Sequence, residues 1–347
     1  MTRRIAVLTE GLNRPGTAKL GAGLIRFCPE DVVAVVDSQT AGKTYYETLG
    51  VGGSEKVLAS LDDVQGADML FLGTAPPGGK IPKAWRPIIL DAIRRGMTIV
   101  SGMHEFLNHD PEFVEAARAA GVQLVDLRDT DESEVATGIG FREGCLRLHT
   151  VANATSCGKM TVCLEVVKGL QDQGLDAAFV ATGQCGISIS GHGCPIDRVI
   201  SDFVAGAAEK LVHAYQDHDI VLVEGQGSLI DYRYSGVTLG LLHGCRPDGL
   251  IFCYQMGRGF STAEDQPDRP MPPLADLIRF NETAASFVHP ARVIGVAISG
   301  QGYTDEEVAV ECRRIEQELG LPACDVFRHG PGCLVEAIKK FKAELGK

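Results

Sequence analysis

The chain has 347 residues, 45% of them hydrophobic and 22% charged, a globular composition with enough length for two domains. Its 33 Lys and Arg residues against 45 Asp and Glu residues give a net charge of −12, which argues against a nucleic-acid binder because phosphate neutralisation needs clustered cations. No apolar run reaches the ~20 residues that span a bilayer. Eleven cysteines without C-x-x-C spacing indicate reduced thiols. We therefore expect a cytoplasmic protein that binds neither nucleic acid nor membrane.

Strand and helix signals alternate in the first part of the chain. Apolar runs predict strands over residues 5–8, 32–36, 69–72, 98–100 and 122–127, with helices over 85–95, 111–120 and after the loop ending near Gly21. Such alternation is typical of a parallel sheet with helices on both faces, so we predict a Rossmann-like domain over residues 1–140. Asp37 ends the second strand as a ribose-binding acid would. The loop after the first strand lacks G-x-G-x-x-G, however, so we do not expect NAD binding.

A second alternation follows residues 130–144, an acidic stretch that we interpret as the connection between domains. Strands are predicted over 146–151, 177–181, 220–223, 250–253 and 293–298, and helices over 160–170, 197–215, 305–318 and 332–345. Four prolines predict an exposed loop over 261–273. The second domain is predicted over residues 145–347. The predicted fold class is α/β, with two domains that are each a mainly parallel sheet with flanking helices.

The most informative motif is VANATSCGKMT at residues 151–161, which follows a predicted strand and opens a helix. This is the setting of a phosphate-binding P-loop, in which backbone N–H groups and a lysine face an anion. The hydroxyl that usually binds magnesium is displaced by one residue, a helix rotation of ~100°, so we do not expect Mg²⁺ to be essential. The predicted ligand-binding residues are Asn153, Thr155, Ser156, Cys157, Gly158, Lys159, Met160 and Thr161.

Three further polar segments follow predicted strands. Glu224 ends one strand and precedes a glycine-rich turn, where a carboxylate can act as a base or hold Mg²⁺. The loop that contains Gln184 follows another strand, and ligands bind at the carboxyl ends of strands in open α/β sheets. His243 lies between glycine-rich turns, and histidine is a residue type that commonly serves as a base. No residue is predicted to bind a metal, and the predicted substrate-binding residues are Gln184, Gln226, Ser228, Arg233 and Arg258.

The P-loop, Thr-Gly-Gln-x-Gly at 182–186, Val-Glu-Gly-Gln-Gly-Ser-Leu at 223–229 and Val-Thr-Leu-Gly-Leu-Leu-His-Gly at 237–244 occur together and in order. In this combination the chain resembles the P-loop family long described as of unknown function, which includes D-glutamate N-acetyltransferases. The family loop usually reads Gly-Thr-Asp-Cys-x-Val-Gly-Lys-Met-Thr. Here Ala154 stands in place of the Asp, and Thr155 or Ser156 would supply the polar contacts.

The resemblance implies acetyl transfer from acetyl-CoA, as co-substrate, to the amine of D-glutamate or a similar amino acid. Glu224 or His243 would then be the base, and Arg233 or Arg258 would hold the substrate carboxylates. We expect small-molecule substrates and a homo-oligomer. Two alternatives stay open: an ATP- and Mg²⁺-dependent ligase or kinase acting on a small carboxylate, like dethiobiotin synthetase, and a nucleotide-binding protein without turnover.

Overall fold

A computed structural model of the protein describes residues 3–74, 76–259 and 270–347. It forms two compact units, one of residues 1–130 together with 187–198, the other of residues 131–186 together with 199–347. Both units are α/β with parallel sheets, which confirms the predicted fold class. Among the described helices, none combines the length and apolar composition needed to cross a membrane.

The first unit is a five-stranded parallel sheet in the order β2-β1-β3-β4-β5. Its strands are β1 (Ile5–Leu8), β2 (Val32–Val36), β3 (Met69–Leu72), β4 (Thr98–Ser101) and β5 (Leu124–Asp126). Its helices are α1 (Lys19–Phe27), α2 (Tyr45–Leu49), α3 (Arg86–Arg94) and α4 (Pro111–Ala120). The core on one face of this sheet surrounds the fully buried Trp85. The strands lie where the apolar runs predicted them, whereas the short helix α2 was not predicted.

The second unit contains a six-stranded parallel sheet in the order β11-β10-β9-β6-β8-β7. Its strands are β6 (Leu146–Ala152), β7 (Ala177–Val180), β8 (Ile220–Val223), β9 (Gly249–Gln255), β10 (Arg292–Ser299) and β11 (Ala323–Asp325). The helices from this part of the chain are α5 (Lys159–Asp172), α6 (Gln184–Ser190), α7 (Val204–Tyr215), α8 (Ser235–Cys245), α9 (Leu274–Ser286), α10 (Asp305–Leu319), α11 (Val326–His329) and α12 (Gly332–Glu344). Strands β6 and β8 are buried along their whole length, as expected for a central pair covered on both faces.

Helix α7 is shorter than predicted. The expected helix over 197–215 begins only at Val204, after two short 3₁₀ turns at Ile196–Arg198 and Ser201–Phe203. Asp197 forms an ion pair with Arg128, which draws this stretch into the first unit. Tertiary pairing therefore overrides local helical preference at this point.

Three other expectations need correction or lie outside the described residues. The polar stretch after β7, predicted as a loop, forms α6. His243 lies inside α8 and not between turns. Residues 261–269 of the loop predicted over 261–273 lie outside the described part of the chain.

Candidate functional site

The segment between β6 and α5 has the backbone geometry of an anion-binding loop. Ser156 and Gly158 have positive φ angles of 62° and 93°, and alternation of left- and right-handed residues turns successive N–H groups toward one point. Gly158 is the N-cap of α5 and offers no side-chain hydrogen bond to the first turn. A Cβ atom on Gly158 would lie 2.5 Å from the Phe327 ring. Glycine is therefore required here by both conformation and space.

Lys159 ties this loop to the turn that follows β8. Its ammonium nitrogen, Nζ, donates hydrogen bonds to the Ala154 carbonyl at 3.1 Å and the Gly227 carbonyl at 2.7 Å. The side chain is only 7% exposed. Contacts within the protein thus fix the positive charge beneath the loop.

The residues after Lys159 differ from those of a magnesium-dependent P-loop. Met160 occupies the first position after the lysine and carries no oxygen ligand, and Thr161 follows one residue later. Within the described residues, no group of three or more His, Cys, Asp or Glu side chains could hold a metal ion.

Glu224 directly follows β8, and its carboxylate faces the residues that follow β7. One carboxylate oxygen, Oε2, accepts hydrogen bonds from the backbone N–H groups of Thr182 at 3.0 Å and Gly183 at 3.2 Å. A Cβ atom on Gly186 would lie 2.6 Å from the same oxygen, so glycine leaves room for the carboxyl group. Burial raises the pKa of Glu224 to about 7, although these hydrogen bonds and the charge of Lys159 act in the opposite direction.

Hydrogen bonds hold the turn after β8 against β6 and the residues that follow β7. The Gly225 N–H donates to Thr150 Oγ1 at 2.9 Å, and the Ser228 hydroxyl donates to the Ala152 carbonyl at 2.8 Å. The Gln226 side-chain nitrogen donates to Thr182 Oγ1 at 3.0 Å. Ser228 is only 1% exposed, and its hydroxyl positions the turn through its hydrogen bond to the Ala152 carbonyl.

A solvent-open cleft adjoins the first residues of the loop. It brings together parts of the chain that follow β6, β8 and β9, and includes both arginines predicted to bind substrate. Its lining residues are Asn153, Ala154, Thr155, Ile230, Asp231, Arg233, Arg258, Gly259 and Met271. We refer to it below as the arginine cleft.

Asp231 is a charged residue of the cleft that sequence reasoning missed. Its carboxylate accepts a hydrogen bond from the Thr155 hydroxyl at 2.9 Å and pairs with the Arg233 guanidinium at 3.0 Å. The signal in the sequence was its spacing of two residues from Arg233. Arg233 is therefore paired, whereas Arg258 makes no hydrogen bond or ion pair with any residue in the described ranges.

Other predicted loop residues are occupied within the protein. The Asn153 side-chain amide donates to the Gln255 carbonyl and accepts from the Gln255 N–H, both at 3.1 Å, so it links the ends of β6 and β9. The Cys157 thiol is 4% exposed and donates to the Ala154 carbonyl at 3.0 Å. Ser156 is exposed at the tip of the loop.

The structure does not bring His243 or Gln184 to the arginine cleft. The His243 Nε2 atom lies 2.9 Å from the Ala284 carbonyl of α9, which can only accept, so Nε2 carries the hydrogen. Gln184 is half-buried at the start of α6, on the side of the sheet that holds Glu224.

The fold and the loop together define a P-loop protein that carries a Rossmann-like amino-terminal domain. Residues 134–335 match a P-loop domain of unknown function, DUF1611_C, and residues 38–130 match the Rossmann-like domain DUF1611_N. The chain belongs to the DUF1611 family, which confirms the resemblance drawn from its motifs.

Relatives match this chain over most of its length. A protein of Pseudoalteromonas named D-glutamate N-acetyltransferase is 38% identical, over 78% of this chain and 81% of that protein. A protein of Tritonibacter scottomollicae with the same name is 34% identical, over 92% of this chain and 94% of its own length. A crystal structure of a DUF1611 family protein from Anabaena variabilis matches with a TM-score of 0.87 at 30% identity, covering 97% of this chain and 99% of that one.

Proposed function

We propose that the protein is an acetyl-CoA-dependent N-acetyltransferase that acts on D-glutamate or a similar amino acid. The observation that carries the proposal is the match to two proteins named D-glutamate N-acetyltransferase over most of both chains. The arginine cleft beside an anion-binding loop supports it, because such a site can take a phosphorylated donor and an anionic acceptor together.

The P-loop would hold the phosphates of coenzyme A. The first turn of α5 begins directly after Gly158, and its backbone N–H groups can bind an anion. Lys159 supplies a fixed positive charge. Met160 provides no hydroxyl for Mg²⁺. We therefore propose that phosphate binding relies on backbone N–H groups and Lys159, and that added Mg²⁺ is not essential.

In the transfer step, the amine nitrogen attacks the thioester carbonyl, the C–S bond breaks and coenzyme A leaves as a thiol. The amine loses a proton, so a group that can accept one near neutral pH is required. Glu224 is our candidate because it directly precedes the turn that Lys159 contacts, and because burial raises its pKa to about 7. We rank His243 below Glu224, because it lies on α8 with its Nε2 atom bonded to the Ala284 carbonyl of α9. Catalytic contacts often form only in the substrate complex, which allows Glu224 to act although it is buried here.

A panel of ligands tests this proposal against its alternatives by thermal denaturation. A ligand that binds the folded state raises the melting temperature as RT ln(1 + [L]/Kd) grows. We expect acetyl-CoA and CoA to stabilise the protein without Mg²⁺, and NAD to have no effect. Stronger stabilisation by ATP with Mg²⁺, with ATP consumed alongside D-glutamate, would instead support the ligase alternative. Nucleotide binding with no turnover of any substrate would support the non-catalytic one.

A further inference from the structure

The arginine cleft presents an uneven set of charges. Asp231 contributes one carboxylate, with its side chain 12% exposed, and Arg233 and Arg258 contribute two guanidinium groups. Among the described residues that line the cleft, the side chains therefore carry one more positive than negative charge.

A dicarboxylic α-amino acid has the complementary set, namely two carboxylates and one ammonium group. A guanidinium pairs with a carboxylate through two parallel hydrogen bonds, and a carboxylate pairs with an ammonium group by charge-assisted hydrogen bonds. We propose that the arginine cleft binds the acceptor amino acid, with Asp231 holding the α-ammonium group and Arg233 and Arg258 each holding a carboxylate. This inference rests on the proposed function for the identity of the substrate class, and its own evidence is the arrangement of these three residues.

Contacts within the protein prepare Asp231 for this role. Arg233 reaches its carboxylate with Nε and Nη2, both at 3.0 Å, while the Thr155 hydroxyl donates to it from the P-loop. Burial alone would raise the pKa of Asp231, but these hydrogen bonds hold it below its ordinary value. Asp231 is thus ionised at neutral pH and suited to hold an ammonium group, whereas it is a poor proton acceptor.

The link through Thr155 also places the amino group next to the donor. Thr155 belongs to the loop proposed to bind coenzyme A, and Asp231 belongs to the turn after β8. An ammonium group held by Asp231 therefore lies at the border between the two binding regions. Asp231 would select for an amine and position it for acetyl transfer.

The test compares D-glutamate with glutarate, which has both carboxylates but no ammonium group, by calorimetric titration. The wild-type protein should bind D-glutamate at least tenfold more tightly than glutarate. In Asp231→Asn the affinity for D-glutamate should fall at least tenfold, while glutarate should bind as well as or better than before. Asp172→Asn, which removes an exposed carboxylate on α5, is the matched control and should preserve the wild-type preference.

Equal affinities of the wild-type protein for the two ligands would overturn the inference without any variant, as would the absence of binding by both. If Asp231→Asn loses affinity for both ligands equally, the inference is also contradicted, and Asp231 has a purely structural role. If Asp231→Asn still transfers acetyl groups and still prefers D-glutamate to glutarate, this inference is wrong and the proposed function stands. If Asp231→Asn selectively loses D-glutamate binding but the wild-type protein transfers no acetyl group, only the proposed function is wrong.

Discussion

Lys159 is held by two backbone carbonyl groups, which fix its charge at the base of the loop. We expect Lys159→Ala to weaken CoA binding by about 1–3 kcal/mol, which is the usual cost of losing a hydrogen bond to a charged group. Calorimetric titration with CoA measures this. Lys168→Ala, on the same helix but paired with Asp172 at the surface, should bind CoA normally. An unchanged affinity of Lys159→Ala for CoA would contradict the proposal that the P-loop binds this ligand.

Glu224 makes the stability of the protein depend on pH in a defined direction. Burial raises its pKa to about 7, above the ~4.3 of an unfolded chain, so the folded state favours the protonated form. Its contribution to stability is full below the unfolded pKa and is lost as the pH rises through about 7.

Glu224→Gln keeps the shape of the protonated carboxyl group and cannot ionise. Relative to this variant, the wild-type protein should lose on the order of 3 kcal/mol of unfolding free energy between about pH 4 and pH 8. Urea denaturation across this range measures the difference. If the difference between the two proteins does not change with pH, Glu224 does not titrate near neutrality.

Among the connections between elements, the turn after β8 depends on the absence of a side chain at Gly225. A Cβ atom there would overlap the Thr150 carbonyl oxygen of β6. Gly225→Ala should therefore displace the turn, lower the melting temperature and reduce acetyl transfer. Gly236 lies in α8, where an added Cβ atom would meet open space, so Gly236→Ala should be neutral or stabilise the helix by ~0.5–1 kcal/mol. Similar behaviour of the two variants would contradict this difference in packing.

Helices α5 and α8 illustrate what the sequence could and could not predict. The spacing of Cys163, Val166, Val167 and Leu170 predicted α5, and all four are buried. Helix α8 was missed because its glycines resemble turn residues. In the structure, side chains at Gly240 and Gly244 would collide with α7, so these glycines allow two helices to pack closely. Such a contact depends on residues distant in the chain and leaves no local periodic signal.

The same limit applies to the site. Lys159 and Glu224 could be proposed from the sequence because each stands in a recognisable strand-to-loop setting, and their roles stay predictions. Asp231 was not proposed, because its partner Thr155 is 76 residues away in the chain. His243 was predicted because it stands beside glycines, and in the structure it lies on α8 with its Nε2 atom bonded to the Ala284 carbonyl.

For the molecule as a whole, the first unit is completed by a segment from the middle of the chain. Arg3 donates to the Ser188 carbonyl at 2.6 Å, and Arg128 pairs with Asp197. A chain that ends at residue 130 lacks residues 187–198 and should therefore melt at a lower temperature than the first unit does within the full chain. Addition of a peptide of residues 187–198 should raise its melting temperature. A truncated chain as stable as the full protein would show that this segment contributes nothing.

The proposed chemistry is tested most directly by mass spectrometry of the reaction products. Purified full-length protein is incubated with acetyl-CoA and D-glutamate in the absence of ATP and added Mg²⁺, and free thiol is measured in parallel. We predict N-acetyl-D-glutamate and CoA in equal amounts, at a rate that rises with pH through the neutral range. No thiol release with D-glutamate, L-glutamate or D-aspartate, or product formation only when ATP is consumed, would contradict the proposal.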